Sequence, residues 1–202
     1  MNEQGASLIL GVLILSFLHP ILPNHWLPLA LIARGERWNK AKTLTFSFMV
    51  ALSHSLSTVL LGILVALLGI RISKENEFLG KVFASAVLTI LGLFYISRHF
   101  RIGNPHHHAF GILSLGALLL AMFFSPCIEI TPFYLVAGSI GWHTVALISL
   151  IYVLTSALLI PTMVILSLMG LKFASLRVLE HYENLLIGAI LLLFGILNTL
   201  LK

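Results

Sequence analysis

Apolar residues fill most of the chain in long blocks, and polar stretches at 34–42, 71–81, 98–108, 139–143 and 172–183 separate them. The blocks between, at about 6–33, 43–70, 81–98, 109–138, 143–171 and 183–201, number six. A run of roughly 18 uncharged residues is a membrane-spanning candidate, and 43–70 exceeds that length with only His54 able to ionise. The pattern predicts an all-α, polytopic membrane protein: one transmembrane domain over 1–202 with six transmembrane helices.

Composition agrees with the pattern. Only 9% of the 202 residues are charged, against about 25% in an ordinary soluble domain, which excludes a soluble globular fold. The first block runs on through Trp26 to Ala33 past any plausible cleavage site, unlike a signal peptide, and is kept as a span. Lys and Arg are biased between alternate loops. Arg34, Arg37, Lys40, Lys42, Arg98, Arg101, Lys172 and Arg177 fall on one side, and Arg71, Lys74, Lys81 and Lys202 on the other. Short cytoplasmic loops are enriched in these residues, so the bias predicts both termini outside and a His-containing cytoplasmic loop at about 98–108. The expected location is a bacterial or archaeal inner membrane. A basic loop bearing Trp38 beside lipid headgroups is read as inner-leaflet contact, and nucleic acid is not expected as a partner. Trp26, Trp38 and Trp142 suit interfacial anchoring.

The two halves look related. Phe17-Leu18-His19-Pro20 recurs as Phe123-Phe124-Ser125-Pro126, and each is followed by further proline, Pro23 and Pro28 in one case and Pro132 in the other. Two three-helix repeats, about 1–100 and 109–202, would enter the membrane from opposite sides, which is the inverted-repeat design of many transporters. Chance similarity between Leu-rich helices is the alternative.

Proline removes a helix hydrogen bond and clashes with the preceding turn, so spans 1 and 4 are expected to be broken near Pro20–Pro23 and Pro126–Pro132. Non-helical backbone at membrane depth survives only where protein or water satisfies it. The first break holds His19, Asn24 and His25. In a regular helix, residues six apart point about 240° from each other, so the two imidazoles converge only if the helix is interrupted. His54 in the second span is a third candidate ligand. A single intramembrane His is commonly a hydrogen-bonded packing residue, whereas three beside proline breaks suggest one shared cavity. The second break holds Cys127, the sole thiol, and Glu129, the only acidic residue between Arg101 and Lys172. An intramembrane carboxylate is costly unless paired, protonated or bound to a cation. A protonated Glu129 bonded between helices and a Cys127 that merely packs are the alternatives. His106 to His108 form a short cluster able to pass metal at a pore mouth, or simply a solvated loop. His99, His143 and His181 at segment ends need no special explanation.

These residues resemble the nickel/cobalt transporter superfamily, whose first signature reads H-x-x-D-x-D-H and whose second places a His before Ser or Thr in the second helix. His19, Asn24 and His25 match the first in spacing, with Leu22 and Asn24 standing where the family has its acids, and Ala51-Leu-Ser-His54-Ser-Leu-Ser-Thr58 looks like the second. Ser125-Pro-Cys-Ile-Glu129 falls where that family carries a later acidic motif. The resemblance implies a urease-accessory-like or efflux-type metal transporter. A sister family, the cytochrome c biogenesis thiol-reductant conduits, shares the six-helix plan with Pro-flanked cysteines. Its electron relay needs two thiols, and this chain has one.

The expected function is therefore transport of a transition-metal cation bound by His19, Asn24, His25, His54, Cys127 and Glu129, with Ni, Co, Zn, Cu and Fe all compatible with these donors. The cation and the lipid bilayer are the expected partners, and a homo-oligomer is compatible with the chain. No enzymatic activity is expected. The alternative is an intramembrane redox or metal-dependent enzyme subunit, and a third class is a non-transporting scaffold.

Overall fold

The computed structural model describes residues 3–101, 115–170 and 176–200. Within them the chain forms α1 (Glu3–Leu18), a 3-10 turn (His19–Ile21), α2 (Pro23–Gly35), α3 (Lys40–Glu75), α4 (Glu77–Arg101), α5 (Leu115–Phe123), α6 (Thr131–Ile140), α7 (Trp142–Leu168) and α8 (Leu176–Leu200). No strand occurs among the described residues. Five stretches are long and apolar enough to cross a membrane: the whole of α1 to α2, then α3, most of α4, α7 and most of α8. The fourth sequence-predicted span differs from a continuous helix. Its first residues lie outside the described ones, and the remainder forms α5 and α6, of 9 and 10 residues. At 1.5 Å per residue each is about 15 Å long, half the thickness of a hydrocarbon core.

Polarity is arranged inside out. Leu64, Ile90, Leu154, Leu158 and Leu193 are exposed on the outer surface, while His19, His25, His54, Ser55, Thr58 and Ser156 are buried. Such a surface would be insoluble in water and suits hydrocarbon. The long helices begin and end on local signals. Asn39 Oδ1 accepts from Lys42 N at 2.8 Å at the start of α3, and Asn76 Oδ1 accepts from Leu79 N at 3.0 Å at the start of α4. These side chains satisfy amide groups that a helix leaves without an internal partner. Gly141, with φ 142°, ends α6 and starts α7 in a conformation closed to residues bearing a Cβ.

Small residues bring two helix pairs into backbone contact. A Cβ at Gly138 of α6 would collide with the Ala66 carbonyl of α3, and one at Gly69 of α3 with the Leu135 carbonyl of α6. Gly62 leaves its space to the ring of Tyr134, so α3 and α6 form a continuous seam. Gly92 and Gly188 do the same between α4 and α8. Close approach at small residues is how helices associate where lipid removes the hydrophobic drive.

The interruption between α1 and α2 is local. Pro20 lies in the 3-10 turn, Leu22 is extended at φ −65° and ψ 140°, and Pro23 takes the first turn of α2, where a missing N–H costs nothing. Trp26 Nε1 donates to the Ile21 carbonyl at 2.8 Å, satisfying an acceptor freed by the turn. This indole is buried rather than interfacial, because it packs with Leu29, Val50 and Ile160 in the core between α2, α3 and α7. Trp38 and Trp142 sit at helix ends, and Lys42 Nζ lies 4.6 Å over the Trp38 ring. Pro28 and Pro161 remain inside α2 and α7 without dividing them.

Candidate metal centre

The 3-10 turn presents His19, the first turn of α2 presents His25, and the middle of α3 presents His54. All three are buried, at 5%, 7% and 3% exposure. The His25 ring stands edge-on to both others, with its centroid 4.2 Å from that of His19 and 4.9 Å from that of His54. The His19 and His54 rings lie nearly parallel, 6.4 Å apart. One nitrogen from each of the three lies within 4.8 Å of the others. Nitrogens around a tetrahedral ion at about 2.0–2.1 Å would lie about 3.3 Å apart, so an ion could be captured by a contraction of an ångström or so.

Hydrogen bonds decide which nitrogens are available. Thr58 Oγ1 donates to the His54 carbonyl at 3.0 Å, so it can only accept from Cys127 N at 3.0 Å and from Tyr152 Oη at 3.4 Å. Tyr152 Oη also lies 3.1 Å from His54 Nε2, and whether it donates or accepts there follows the imidazole tautomer. His54 Nδ1 is buried without a partner in full hydrogen-bonding geometry, and the carbonyls of Met122 and Ser125, both acceptors, lie near the ring. At His25 the logic is simpler. Asn24 Oδ1, an acceptor, lies 2.7 Å from Nδ1, so Nδ1 carries the proton and Nε2 is bare. Asn24 itself is exposed, and its oxygen engages the neighbouring imidazole. His19 Nδ1 is a further buried atom with no hydrogen-bond partner among the described residues. Buried polar atoms normally find partners, and two of the unpaired ones among the described residues, His19 Nδ1 and His54 Nδ1, belong to this cluster.

The loop between α5 and α6 brings up the second group. Thr131 Oγ1 donates to the Cys127 carbonyl at 3.1 Å, pinning the turn that precedes α6. Within that turn Cys127 Sγ donates to Glu129 Oε2 at 3.1 Å, and Tyr95 Oη of α4 donates to Oε1 at 2.9 Å. Ligand atoms of His19, Cys127 and Glu129 also lie within 4.8 Å of one another. The structure thus brings five of the six predicted ligand residues into two overlapping groups of three that share His19, with Asn24 in neither. A narrow crevice of about 20 Å³ between α1 and α8 reaches His19 and is lined by Leu15, Leu22, Ile187 and Glu183. That is room for about one water molecule.

The sequence pattern did not single out Tyr95, Tyr152 or Glu183. The tyrosines carried a signal, as two of only 4 in a chain with 13 Phe. A phenol in mid-span needs a partner, and here the partners are a carboxylate and an imidazole. His143 is exposed at the start of α7, and His99 meets the His181 ring edge-on at 5.3 Å and stacks on Tyr182 at 5.6 Å, as part of neither triad. His106, His107 and His108 lie outside the described residues. Comparison with described protein families, with curated proteins and with solved structures finds no match for this chain.

Proposed function

We propose that this protein transports a transition-metal cation across a membrane, binding it at His19, His25 and His54 with Glu129 and Cys127 alongside. The observation that carries the reading is the cluster of three buried imidazoles from three chain segments, two of them hydrogen-bonded by neighbouring side chains. Imidazole, thiolate and carboxylate together suit Ni, Co, Zn, Cu or Fe, whereas Mg and Ca favour oxygen ligands throughout. The motif resemblance to nickel/cobalt transporters points the same way.

Alternating access follows from an inverted-repeat reading, in which α1, α2, α3 and α4 correspond to α5, α6, α7 and α8. Reciprocal packing supports it: α1 lies on α7 as α5 lies on α3, α3 meets α6 as α7 meets α2, and the corresponding helices α3 and α7, like α4 and α8, pack on each other. Both interruptions then fall at matching places, after Leu18 and after Phe123, beside the repeated proline motif. In this reading Pro20, Pro23 and Pro126 keep the paired segments from closing into continuous helices, so that side chains on different helical faces share one space. The termini lie outside, in a bacterial or archaeal inner membrane.

The test is elemental analysis of the purified protein, followed by uptake of Zn, Co and Ni into reconstituted vesicles. Bound transition metal together with flux that His25→Ala abolishes is the expected result. Binding with metal-dependent turnover but no flux would favour an intramembrane metalloenzyme, and no binding by the purified protein would overturn the metal reading altogether.

A further inference from the structure

We propose that His19 is shared by two successive positions for one thiophilic cation, a neutral position made with His25 and His54 and an anionic position made with Cys127 and Glu129. The inference rests on the metal reading above and narrows it to ions that accept thiolate. Three features carry it. The two triads overlap only at His19, whose Nδ1 is buried and without a hydrogen-bond partner among the described residues. Cys127 is 2% exposed, and its Sγ and the Glu129 carboxylate are already joined by a hydrogen bond. Finally, Tyr95 fixes the far carboxylate oxygen from α4, so Glu129 is held in place rather than free to follow an ion.

The charges of the two positions differ in a way that gives the ion a reason to move. Three imidazoles bind a divalent cation without neutralising it. With the ion bound by Cys127, Glu129 and His19, formation of a metal–sulfur bond replaces the S–H bond of Cys127 and gives its proton to bulk water, so that thiolate plus an ionised Glu129 balance the two positive charges. In a medium of low polarity an uncompensated divalent ion is costly, so the anionic position is the resting place and the neutral one the transfer point. Thiolate in the ligand set selects borderline and soft ions such as Zn(II), Co(II) or Cu(I) and rejects Mg(II) and Ca(II). Thr58 ties the two positions together mechanically. It accepts from the Cys127 amide and from the Tyr152 hydroxyl that holds His54, so neither triad shifts without the other.

Co(II) is the probe, because thiolate ligation gives it a near-ultraviolet charge-transfer band in addition to its visible bands. The detergent-purified full chain titrated with Co(II) should show both. Cys127→Ser should lose the charge-transfer band, keep visible bands from the imidazole position and lose flux in vesicles. His54→Ala should keep the thiolate band. Should Cys127→Ser fail to fold, Cys127→Ala gives the same readout without a hydroxyl. Visible bands without any thiolate band in the unaltered protein, or full flux in a folded Cys127 variant, would overturn the second position and leave the metal reading standing. Absence of Co(II) binding in the unaltered protein would overturn both.

Discussion

Tyr152 Oη lies 3.1 Å from His54 Nε2, across the contact between α7 and α3. The phenol, itself in contact with Thr58, fixes the orientation of the His54 ring within the cluster. Partners of this kind, which orient a ligand without touching the ion, are typically worth 10–100-fold in metal affinity. Tyr152→Phe should therefore weaken ion binding by roughly that factor while leaving the number of bound ions unchanged. Isothermal titration of the purified variant measures both, and unaltered affinity would show that His54 needs no such partner.

Asn24→Ala should act in the same direction through His25, whose Nδ1 proton it accepts. Asn24 stands on the exposed side of α2, so the substitution leaves the core packing alone. A loss as complete as that of His25→Ala would instead make Asn24 a direct ligand. His143→Ala, at the exposed start of α7, should leave binding unchanged.

Protons compete with a metal ion for imidazole lone pairs. Each His that takes up a proton loses a ligand atom, so affinity should fall as pH is lowered and level off once the imidazoles are neutral. Titrations from pH 8 down to the lowest pH at which the protein stays folded check the sign. An affinity that does not fall anywhere in that range would mean that imidazole nitrogens do not hold the ion.

Glu183 lines the crevice that reaches His19 between α1 and α8. A carboxylate there raises the local concentration of cations without belonging to either triad. Glu183→Gln should slow uptake into vesicles yet leave equilibrium binding close to that of the unaltered protein. Equal reductions in rate and affinity would place Glu183 among the ligands.

Packing at the α3–α6 seam has a separate test. Gly138→Ala drives a methyl group against the Ala66 carbonyl, a backbone atom that can yield only if the helices part. Overpacking of this kind costs about 1–3 kcal/mol, so the thermal midpoint in detergent should fall. Gly116→Ala, with open space around its Cβ direction, should have little effect.

Much of this architecture was legible in the sequence because the membrane makes polarity conspicuous. His19, His25, His54, Cys127 and Glu129 stood out as isolated polar groups in apolar runs. For the fourth apolar block the expectation of an interruption rested on Pro126 and Pro132. Hydropathy does not distinguish one continuous helix from α5 and α6 separated by a turn, since both are equally apolar. Nor does spacing along the chain reveal that Tyr152 meets His54 or that Tyr95 meets Glu129, because those pairings depend on how each helix is rotated about its axis. Trp26 was misjudged for the same reason. Its indole has an acceptor in the core, the Ile21 carbonyl, which exists only because the preceding helix ends early. The division of the ligands into two triads required the folded turn at 127–130.

The seam of Gly62, Ala66, Gly69 and Gly138 begins some two helical turns beyond His54 on α3 and runs toward the C-terminal end of that helix. At Gly69 and Gly138 backbone presses on backbone, and at Gly62 the Tyr134 ring fills the space. Under the transport proposal this conformation would be a cul-de-sac, and an ion at the imidazoles would pass this way only if α6 swung away from α3. Gly141 would then be the joint, and the contact between α2 and α7, its counterpart in the inverted-repeat proposal, would tighten as the seam opened. On that reading the small residues that make the seam tight are also its latch, and a larger side chain there would wedge one mouth of the molecule ajar.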